Sequence, residues 1–229
     1  MSNTTNKSIS IYFTLLACVF CICFIIDSFL ELKVINVFGL PLTAGFFLIT
    51  ISYIVSDCLV EVYGYQKARF VMWMTFISHL TVVSLLQIAC WLPSFEYWEG
   101  DQHFNYIFGL TPRITIVSIL AFIVGSSTNA YVMSKMKVKY THLGFKTRAF
   151  ISTCAGECVD AFCFFPFAFY GLLPNEEIIK LIFIQMIGKI IYETSILPIT
   201  NKIVEYIKKK DNIDTYDRDI SYNLFSLKT

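Results

Sequence analysis

Acidic side chains occur inside the apolar stretches of this sequence, in pairs with helical spacing. Asp57 and Glu61 lie four residues apart near the end of one apolar run, and Glu157 and Asp160 lie three apart within another. Residues three or four apart share one face of a helix, so each pair projects in one direction. A carboxyl group in or beside hydrocarbon is energetically expensive and is usually retained for function. We therefore expect these acids to hold a proton or to bind a ligand.

A third polar stripe lies in the last apolar run, where Gln185, Lys189 and Glu193 follow at steps of four residues. Insertion scales assign about 2.5–3.5 kcal/mol to each buried ionisable group, so this stripe must face other polar groups or water. Lys189 can offset one carboxylate directly, which leaves the acids in surplus. The alternative is a packing role, in which Lys189 forms an ion pair with Glu193 or Glu157.

The acids of the first pair lie less deep in their apolar run. Tyr53 continues the helical face of Asp57 and Glu61, which favours a role facing a pocket. The alternative is ordinary interfacial charge, in which Glu61 pairs with Arg69 or Lys67.

Two further polar residues within apolar runs have a packing interpretation. Asn129 lies on the face of Gly125 and Ser126, where small residues let helices approach closely and the amide can hydrogen-bond across the contact. That interpretation is at least as well supported as ligand contact. His79 lies in the middle of a run and is expected to be a core histidine, with proton relay as the alternative.

The composition around these residues is that of a membrane protein. The chain has 229 residues, of which 56% are hydrophobic, and its mean hydropathy is +0.62, whereas soluble domains are about 45–50% apolar. A spanning helix needs about 20 mostly apolar residues. The stretches that qualify are Ile9–Leu30, Leu40–Val60, Ala68–Leu92, Ile114–Met133, Thr147–Gly171 and Ile178–Val204. The sequence predicts an all-α membrane protein with six transmembrane helices over residues 9–204.

The basic residues predict the orientation of these helices. They concentrate in alternate connections and at the two ends of the chain, where positive charge marks the cytoplasmic side. The residues on that side are Lys7, Lys67, Arg69, Lys135, Lys137, Lys139, Lys146, Arg148, Lys202, Lys208, Lys209, Lys210, Arg218 and Lys228. Both termini, residues 1–8 and 205–229, are therefore expected in the cytoplasm.

Several classes of function are disfavoured by what the sequence lacks. A net charge of +1 gives no reason to expect a nucleic-acid partner. The eight cysteines lie in apolar runs without the repeated spacing of a zinc site. The sequence contains no Gly-x-x-x-x-Gly-Lys for nucleotide hydrolysis and no His-Glu-x-x-His. We therefore expect no catalytic residue, no metal and no cofactor, and a chain that is not an enzyme.

Four motifs resemble the queuosine precursor transporters, which are also grouped as vitamin uptake transporters. Together they extend over about residues 40–201 in matching order. They are Asp57-x-x-x-Glu61-Val-Tyr-Gly-Tyr65-x-x-Ala-Arg69, Asn129 before Ser134-Lys135-Met136-Lys137, Arg148-x-x-x-Ser152-Thr153 before Glu157-x-x-Asp160, and Lys189-x-x-Tyr192-Glu193 before Pro198-x-Thr200. The chain departs from the family at Ala161, where a serine or threonine is expected.

The resemblance implies a multi-pass carrier of the cell inner membrane with six helices. Its implied cargo is a 7-deazaguanine, such as 7-cyano-7-deazaguanine, its aminomethyl relative or the base queuine, which is taken up for queuosine synthesis in tRNA. The implied partners are this small molecule and the lipid bilayer, and a homo-oligomer stays open.

The chemistry of such a cargo agrees with the polar residues. A guanine-type edge presents an N1–H and an exocyclic amine side by side, and one carboxylate can accept both hydrogen bonds. Our hypothesis is that Glu157 or Asp160 binds this edge. The carbonyl O6 requires a donor, which Lys189, Asn129 or Gln185 could supply.

The remaining candidates surround this edge-binding group. Tyr53, Tyr192 and Phe162 are candidates for stacking on the flat ring, and Glu193 is expected to complete the site together with Lys189. The side chains assigned to an inner gate or to part of the pocket are Asp57, Glu61 and Arg69.

Two other functions stay open at this point. The first is a substrate-binding membrane subunit energised by a separate ATPase module, which would also have six helices and one small-molecule pocket. The second is an intramembrane enzyme, against which the sequence offers no plausible pairing of His79 with a nucleophile.

Overall fold

The computed structural model describes residues 10–31, 33–109, 111–218 and 220–223. The chain is helical apart from one short β-hairpin and its connections. In chain order the elements are α1 (Ile11–Leu30), β1 (Val34–Val37), β2 (Leu40–Thr43), α2 (Phe46–Tyr63), α3 (Tyr65–Trp91), α4 (Asp101–Gly109), α5 (Thr111–Lys139), α6 (Phe145–Phe169) and α7 (Asn175–Asp211).

The described residues contain six helical segments that are long and apolar enough to cross a membrane. These are α1, α2, α3, the segment Asp101–Lys139 that includes α4 and α5, α6 and α7. The predicted fold class and number of spans are therefore confirmed, and the chain is a multi-pass membrane protein. The orientation of the termini stays a prediction.

The predicted start of the second span at Leu40 is wrong. Leu40–Thr43 is a β-strand that pairs antiparallel with Val34–Val37, and α2 begins only at Phe46. Phe38 and Gly39 form the two-residue turn of this hairpin with φ of 52° and 84°, the left-handed geometry that matches the twist of paired strands. Local turn geometry therefore prevails over the continuous hydrophobicity of this segment.

The last helix is longer than its apolar run. It continues seven residues beyond the predicted end at Val204 and finishes at Asp211, with Lys208, Lys209 and Lys210 in its last turn. Cations in this position interact favourably with the negative end of the helix dipole. Hydropathy marks where a helix leaves hydrocarbon, and the helix itself can continue into water.

The bundle is apolar on its outside and polar within. Large hydrophobic side chains such as Leu120, Phe167 and Ile187 are exposed on the helices, as expected for contact with lipid. The charged side chains of Glu157, Lys189 and several other residues are instead buried between helices. This arrangement agrees with the high cost of charge in hydrocarbon.

Two glycines allow α5 and α6 to approach closely, and these helices share the most extensive helix–helix contact of the described residues. A Cβ atom added at Gly125 would lie 2.7 Å from Asp160 Cβ and 2.6 Å from the Tyr53 hydroxyl. A Cβ atom added at Gly156 would lie 2.8 Å from Asn129 Cβ. The expected packing role of small residues beside Asn129 agrees with this contact, which also draws the polar residues of α2, α5 and α6 together.

We predict that Gly156→Ala destabilises the protein by about 1–3 kcal/mol, because its methyl group overpacks the α5–α6 contact. Alanine within a helix is otherwise favoured over glycine by roughly 0.5–1 kcal/mol, so a loss must come from crowding. The measurement is the thermal unfolding midpoint in detergent. Gly144→Ala is the control, since no atom lies within 4 Å of its added Cβ, and equal midpoints would contradict the close approach.

Candidate functional site

The centre of the bundle contains a buried lysine between two acids. Lys189 Nζ on α7 lies 3.4 Å from Glu157 Oε2 and 3.4 Å from Asp160 Oδ2, both on α6. All three residues are at most 7% exposed. At 3.4 Å these ion pairs are longer than charge-assisted hydrogen bonds, which are about 2.7–2.9 Å. The lysine is therefore shared between two carboxylates and is bound tightly by neither.

A second group of polar side chains lies on α2, α5, α6 and α7. Asn129 Nδ2 donates a 2.7 Å hydrogen bond to Asp57 Oδ1, and the Thr153 hydroxyl donates to Glu193. These two hydrogen bonds link α5 to α2 and α6 to α7.

Several polar atoms in this region have no hydrogen-bond partner among the described residues. They are Tyr53 Oη, Asp57 Oδ2, Asn129 Oδ1, Glu157 Oε1 and Oε2, Gln185 Oε1 and Glu193 Oε2. The Gln185 amide meets only part of its capacity by donating to Thr43 Oγ1 at 3.2 Å. Since buried polar groups are normally hydrogen-bonded, this concentration of unpartnered oxygens is typical of a site that binds donors.

Asp27 and Glu31 on α1 extend the polar interior toward the hairpin end of the bundle. They are 3% and 6% exposed, and Ser118 Oγ donates to Glu31 Oε2 at 3.2 Å. Sequence reasoning missed both residues. Their four-residue spacing repeats that of Asp57 and Glu61 and was the available signal, but acids at the end of an apolar run resemble interfacial charge.

A small cavity joins the acids of α1 to the central ion pairs. Its lining includes Asp27, Glu31, Ser118 and Asp160, and its volume is about 10 Å³. A cavity of this size holds roughly one water molecule. A flat base is far larger, so the helices must separate before such a ligand can enter.

Glu61 forms a separate and fully paired charge cluster near the C-terminal end of α2, away from the hairpin. Arg148 Nη2 lies 2.8 Å from Glu61 Oε2, and Lys208 Nζ lies 2.5 Å from Oε1. Lys137 Nζ reaches the same carboxylate at 3.5 Å and also bonds Asp214 at 2.7 Å. The partners therefore come from α5, α6 and α7, and the alternative in which Glu61 pairs with Arg69 or Lys67 is wrong.

Asp214 joins this cluster from the segment that follows α7. Burial raises the pKa of Asp214, but hydrogen bonds from Lys137 and Lys208 outweigh burial and hold the pKa below its ordinary value. The contacts of Asp214 with Lys137 and Lys208 are therefore fully present above the ordinary pKa of an aspartate. They are lost as the pH falls through the lowered pKa of Asp214.

The segment after α7 also accepts hydrogen bonds from Arg69, which lies outside the central site. Arg69 Nη1 donates to the carbonyl oxygens of Ser221 and Asn223 at 3.0 and 2.7 Å. Asp217 Oδ2 accepts from Tyr65 N at 2.9 Å, next to the positive-φ Gly64 that joins α2 to α3. This segment therefore covers the α2–α3 junction.

The other sequence candidates divide between the cluster and its surroundings. Tyr53 is fully buried and lies against Gly125, inside the cluster. Tyr192 is partly exposed and packs against Phe46 and Phe47, with its ring centroid 6.3 and 5.5 Å from theirs. The alternative ion pair of Lys189 with Glu157 is present.

We predict that Glu61→Gln lowers stability by about 3–5 kcal/mol, the range found when one partner of a buried ion pair is removed. The change leaves Arg148, Lys137 and Lys208 without their shared carboxylate. The measurement is thermal unfolding in detergent. The control is Glu177→Gln, which removes an exposed pair with Lys180 and should alter stability by about 0–1 kcal/mol. Similar losses in both variants would contradict a structural role for the Glu61 cluster.

Comparison with known proteins finds relatives of similar sequence. The chain is 28% identical to a "Probable queuosine precursor transporter" of Bacillus subtilis (strain 168) over 147 residues, which is 63% of each chain. It is 26% identical over 136 residues to a protein with the same name from Haemophilus influenzae, covering 59% of this chain and 55% of the relative. The chain thus spans less than two thirds of the length of these relatives. No solved structure matches it.

The family comparison covers most of the bundle. The profile of the family described as "Putative vitamin uptake transporter" matches residues 43–203. That range begins at the end of β2 and includes the central lysine, its two acids and Glu61 with Arg148 and Lys137. Asp27 and Glu31 lie before it, and Lys208 and Asp214 lie after it. Both relatives are named as transporters, which agrees with the expectation of a chain that is not an enzyme. The chain belongs to the vitamin uptake transporter family.

Proposed function

We propose that this protein imports a queuosine precursor of the 7-deazaguanine class across the cell inner membrane for tRNA modification. The observation that carries the proposal is the group of unpartnered carboxyl and amide oxygens buried inside a six-span bundle. Polar groups at this depth are expensive and are typical of substrate pathways. The names of the two relatives support the same cargo class.

Glu157 is the preferred partner for the guanine-type edge. Neither of its carboxylate oxygens accepts a hydrogen bond from the described residues, so both are available to the adjacent N1–H and amine of the base. Lys189 lies beside it and can donate to the carbonyl O6 once it moves away from Asp160. The free oxygens of Asn129 and Gln185 can accept further donors of the ligand.

Tyr53 and Glu193 are proposed to complete the site from the α2 and α7 sides. Tyr53 offers a buried ring and an unpartnered hydroxyl, and Glu193 an unpartnered oxygen beside Asp57. A site of this kind rejects analogues that lack the matching groups, because its own buried oxygens would then stay unpaired.

Entry and release are proposed to occur at opposite ends of the bundle. The positive-inside rule favours a cytoplasmic location for the Glu61 cluster and both termini, and we propose that orientation. The ion pairs of Glu61 then close the inner side, together with the segment 212–218 that contributes Asp214. Release requires these contacts to open while the hairpin side stays closed, as in alternating access.

We predict that Glu157→Gln, Asp160→Asn and Lys189→Met each weaken precursor uptake by about 30-fold or more, since loss of one buried charged partner costs at least about 2 kcal/mol. The assay uses a strain unable to make the precursor, supplied with each candidate base at low concentration, and measures queuosine in its tRNA. Glu177→Gln, on the exposed surface, is expected to support uptake fully. Intact uptake in all three core variants, at equal expression, would refute the assignment of the site.

Reconstitution separates a free-standing carrier from a subunit of a larger system. We expect the purified chain to exchange labelled precursor across proteoliposomes without nucleotide. If exchange required a co-purifying ATPase, the chain would instead be the substrate-binding subunit of an energised transporter.

A further inference from the structure

Two buried acids outside the range of the family match lack an ion-pair partner among the residues that the structure describes. Asp27 and Glu31 lie four residues apart at the end of α1. No lysine, arginine or histidine of the described ranges lies within 4.0 Å of either carboxylate as an ion-pair partner. Asp27 Oδ1 has no hydrogen-bond partner there either. Glu31 has only the neutral hydroxyl of Ser118.

The position of Asp27 is set by close packing against the start of α2. A Cβ atom added at Gly45 would collide with Asp27 Oδ1 and lie 3.0 Å from both the Asp27 carbonyl oxygen and Glu31 Cγ. The absence of a side chain at Gly45 is therefore what admits the two acids to the interior. Both then line the small cavity that also reaches Asp160.

The charged groups that face this pair are mostly acidic. Lys189 on α7 is the one cation that acts on both acids among the described residues, and it already serves Glu157 and Asp160. On α3, the neighbouring ionisable group is His79, whose Nε2 lies 2.8 Å from Ser28 Oγ beside Asp27. The other groups that face the pair are Glu157 and Asp160 on α6, Ser118 on α5 and Cys23 on α1.

From this arrangement we propose that Asp27 and Glu31 form a proton-binding site that couples precursor import to proton movement. The inference rests on the proposed transport function. Two neighbouring carboxylates in a medium of low dielectric repel each other and lack solvation, so at least one binds a proton. We assign a proton because a single unpartnered carboxyl oxygen is enough to bind it.

The cavity that Asp27 and Glu31 share with Asp160 couples the proton site to the precursor site. A proton that arrives from the outer solution forms an O–H bond on Asp27 or Glu31 and removes one negative charge from the field around Lys189. Lys189 then interacts only with the Glu157–Asp160 region, where the precursor binds. When the proton leaves toward the cytoplasm, the restored carboxylate attracts Lys189 back toward α1 and weakens precursor binding. One proton enters and one leaves, with no other chemical change.

The test uses the full chain in proteoliposomes containing a pH-sensitive dye, with 7-cyano- and 7-aminomethyl-7-deazaguanine as probes. We expect an inward gradient of about one pH unit to drive about tenfold accumulation if one proton accompanies each precursor. Asp27→Asn and Glu31→Gln should abolish this accumulation and the dye signal, while exchange of precursor at equal pH persists. Glu177→Gln is the matched control and should accumulate precursor like the wild type.

The outcomes separate the two proposals. Gradient-independent uptake by the wild type, or full accumulation by both variants, would overturn the proton site and leave the transport function standing. Failure of the wild type to exchange either precursor would instead overturn the proposed function.

An infrared measurement keeps the proton site testable when transport or folding of the variants fails. The expected result is a carbonyl band of protonated carboxyl in the wild type at neutral pH, which weakens in Asp27→Asn or Glu31→Gln. The conservative variants Asp27→Glu and Glu31→Asp should retain it. A wild type without this band, or folded variants with an unchanged band, would overturn the site.

Discussion

The excess of buried carboxyl groups over buried cations in the bundle is the constraint on which the rest of the structure depends. In the part of the interior that the structure describes, Lys189 pairs with Glu157 and Asp160. Four further acids are buried there without an ion-pair partner within 4.0 Å: Asp27, Glu31, Asp57 and Glu193. Hydrocarbon offers these groups neither solvent nor counter-ions, so they must face inward and neutralise one another or take up protons. This requirement orients α1, α2, α6 and α7 and leaves their apolar faces to the lipid.

Two regions of the molecule meet this constraint in different ways. Around Glu61, three basic side chains from three helices saturate one carboxylate, and Asp214 adds a further contact. Around Lys189, one cation is shared and several oxygens stay without partners. A fully paired carboxylate holds helices together, whereas a carboxylate with unpartnered oxygens is available to bind a ligand. Acidic and basic side chains therefore hold the helices together around Glu61 and leave oxygens available to a ligand around Lys189.

The sequence predictions failed where local geometry or long-range contact outweighed local pattern. The segment from Leu40 is as apolar as a span, yet the turn at Phe38 and Gly39 folds it into a hairpin. Asp27 and Glu31 resemble interfacial charge at the end of an apolar run, and their burial depends on the missing side chain of Gly45, which packs against them only in the folded bundle. The alternative in which Glu61 pairs with basic residues nearby in the sequence was wrong, since its partners come from distant helices.

Hydropathy and helical periodicity were enough to predict the six spans and the placement of polar residues on shared faces, because both depend on residues within a few turns of one another. The family followed from the resemblance of four short motifs. The meeting of Asp57 with Asn129, the sharing of Lys189 and the diversion of Arg69 to the C-terminal segment depend on how the helices pack. A single helix fixes the directions in which its side chains point. Which charges become neighbours is decided only in the assembled bundle, because the helices pack so as to leave little charge unpaired away from water.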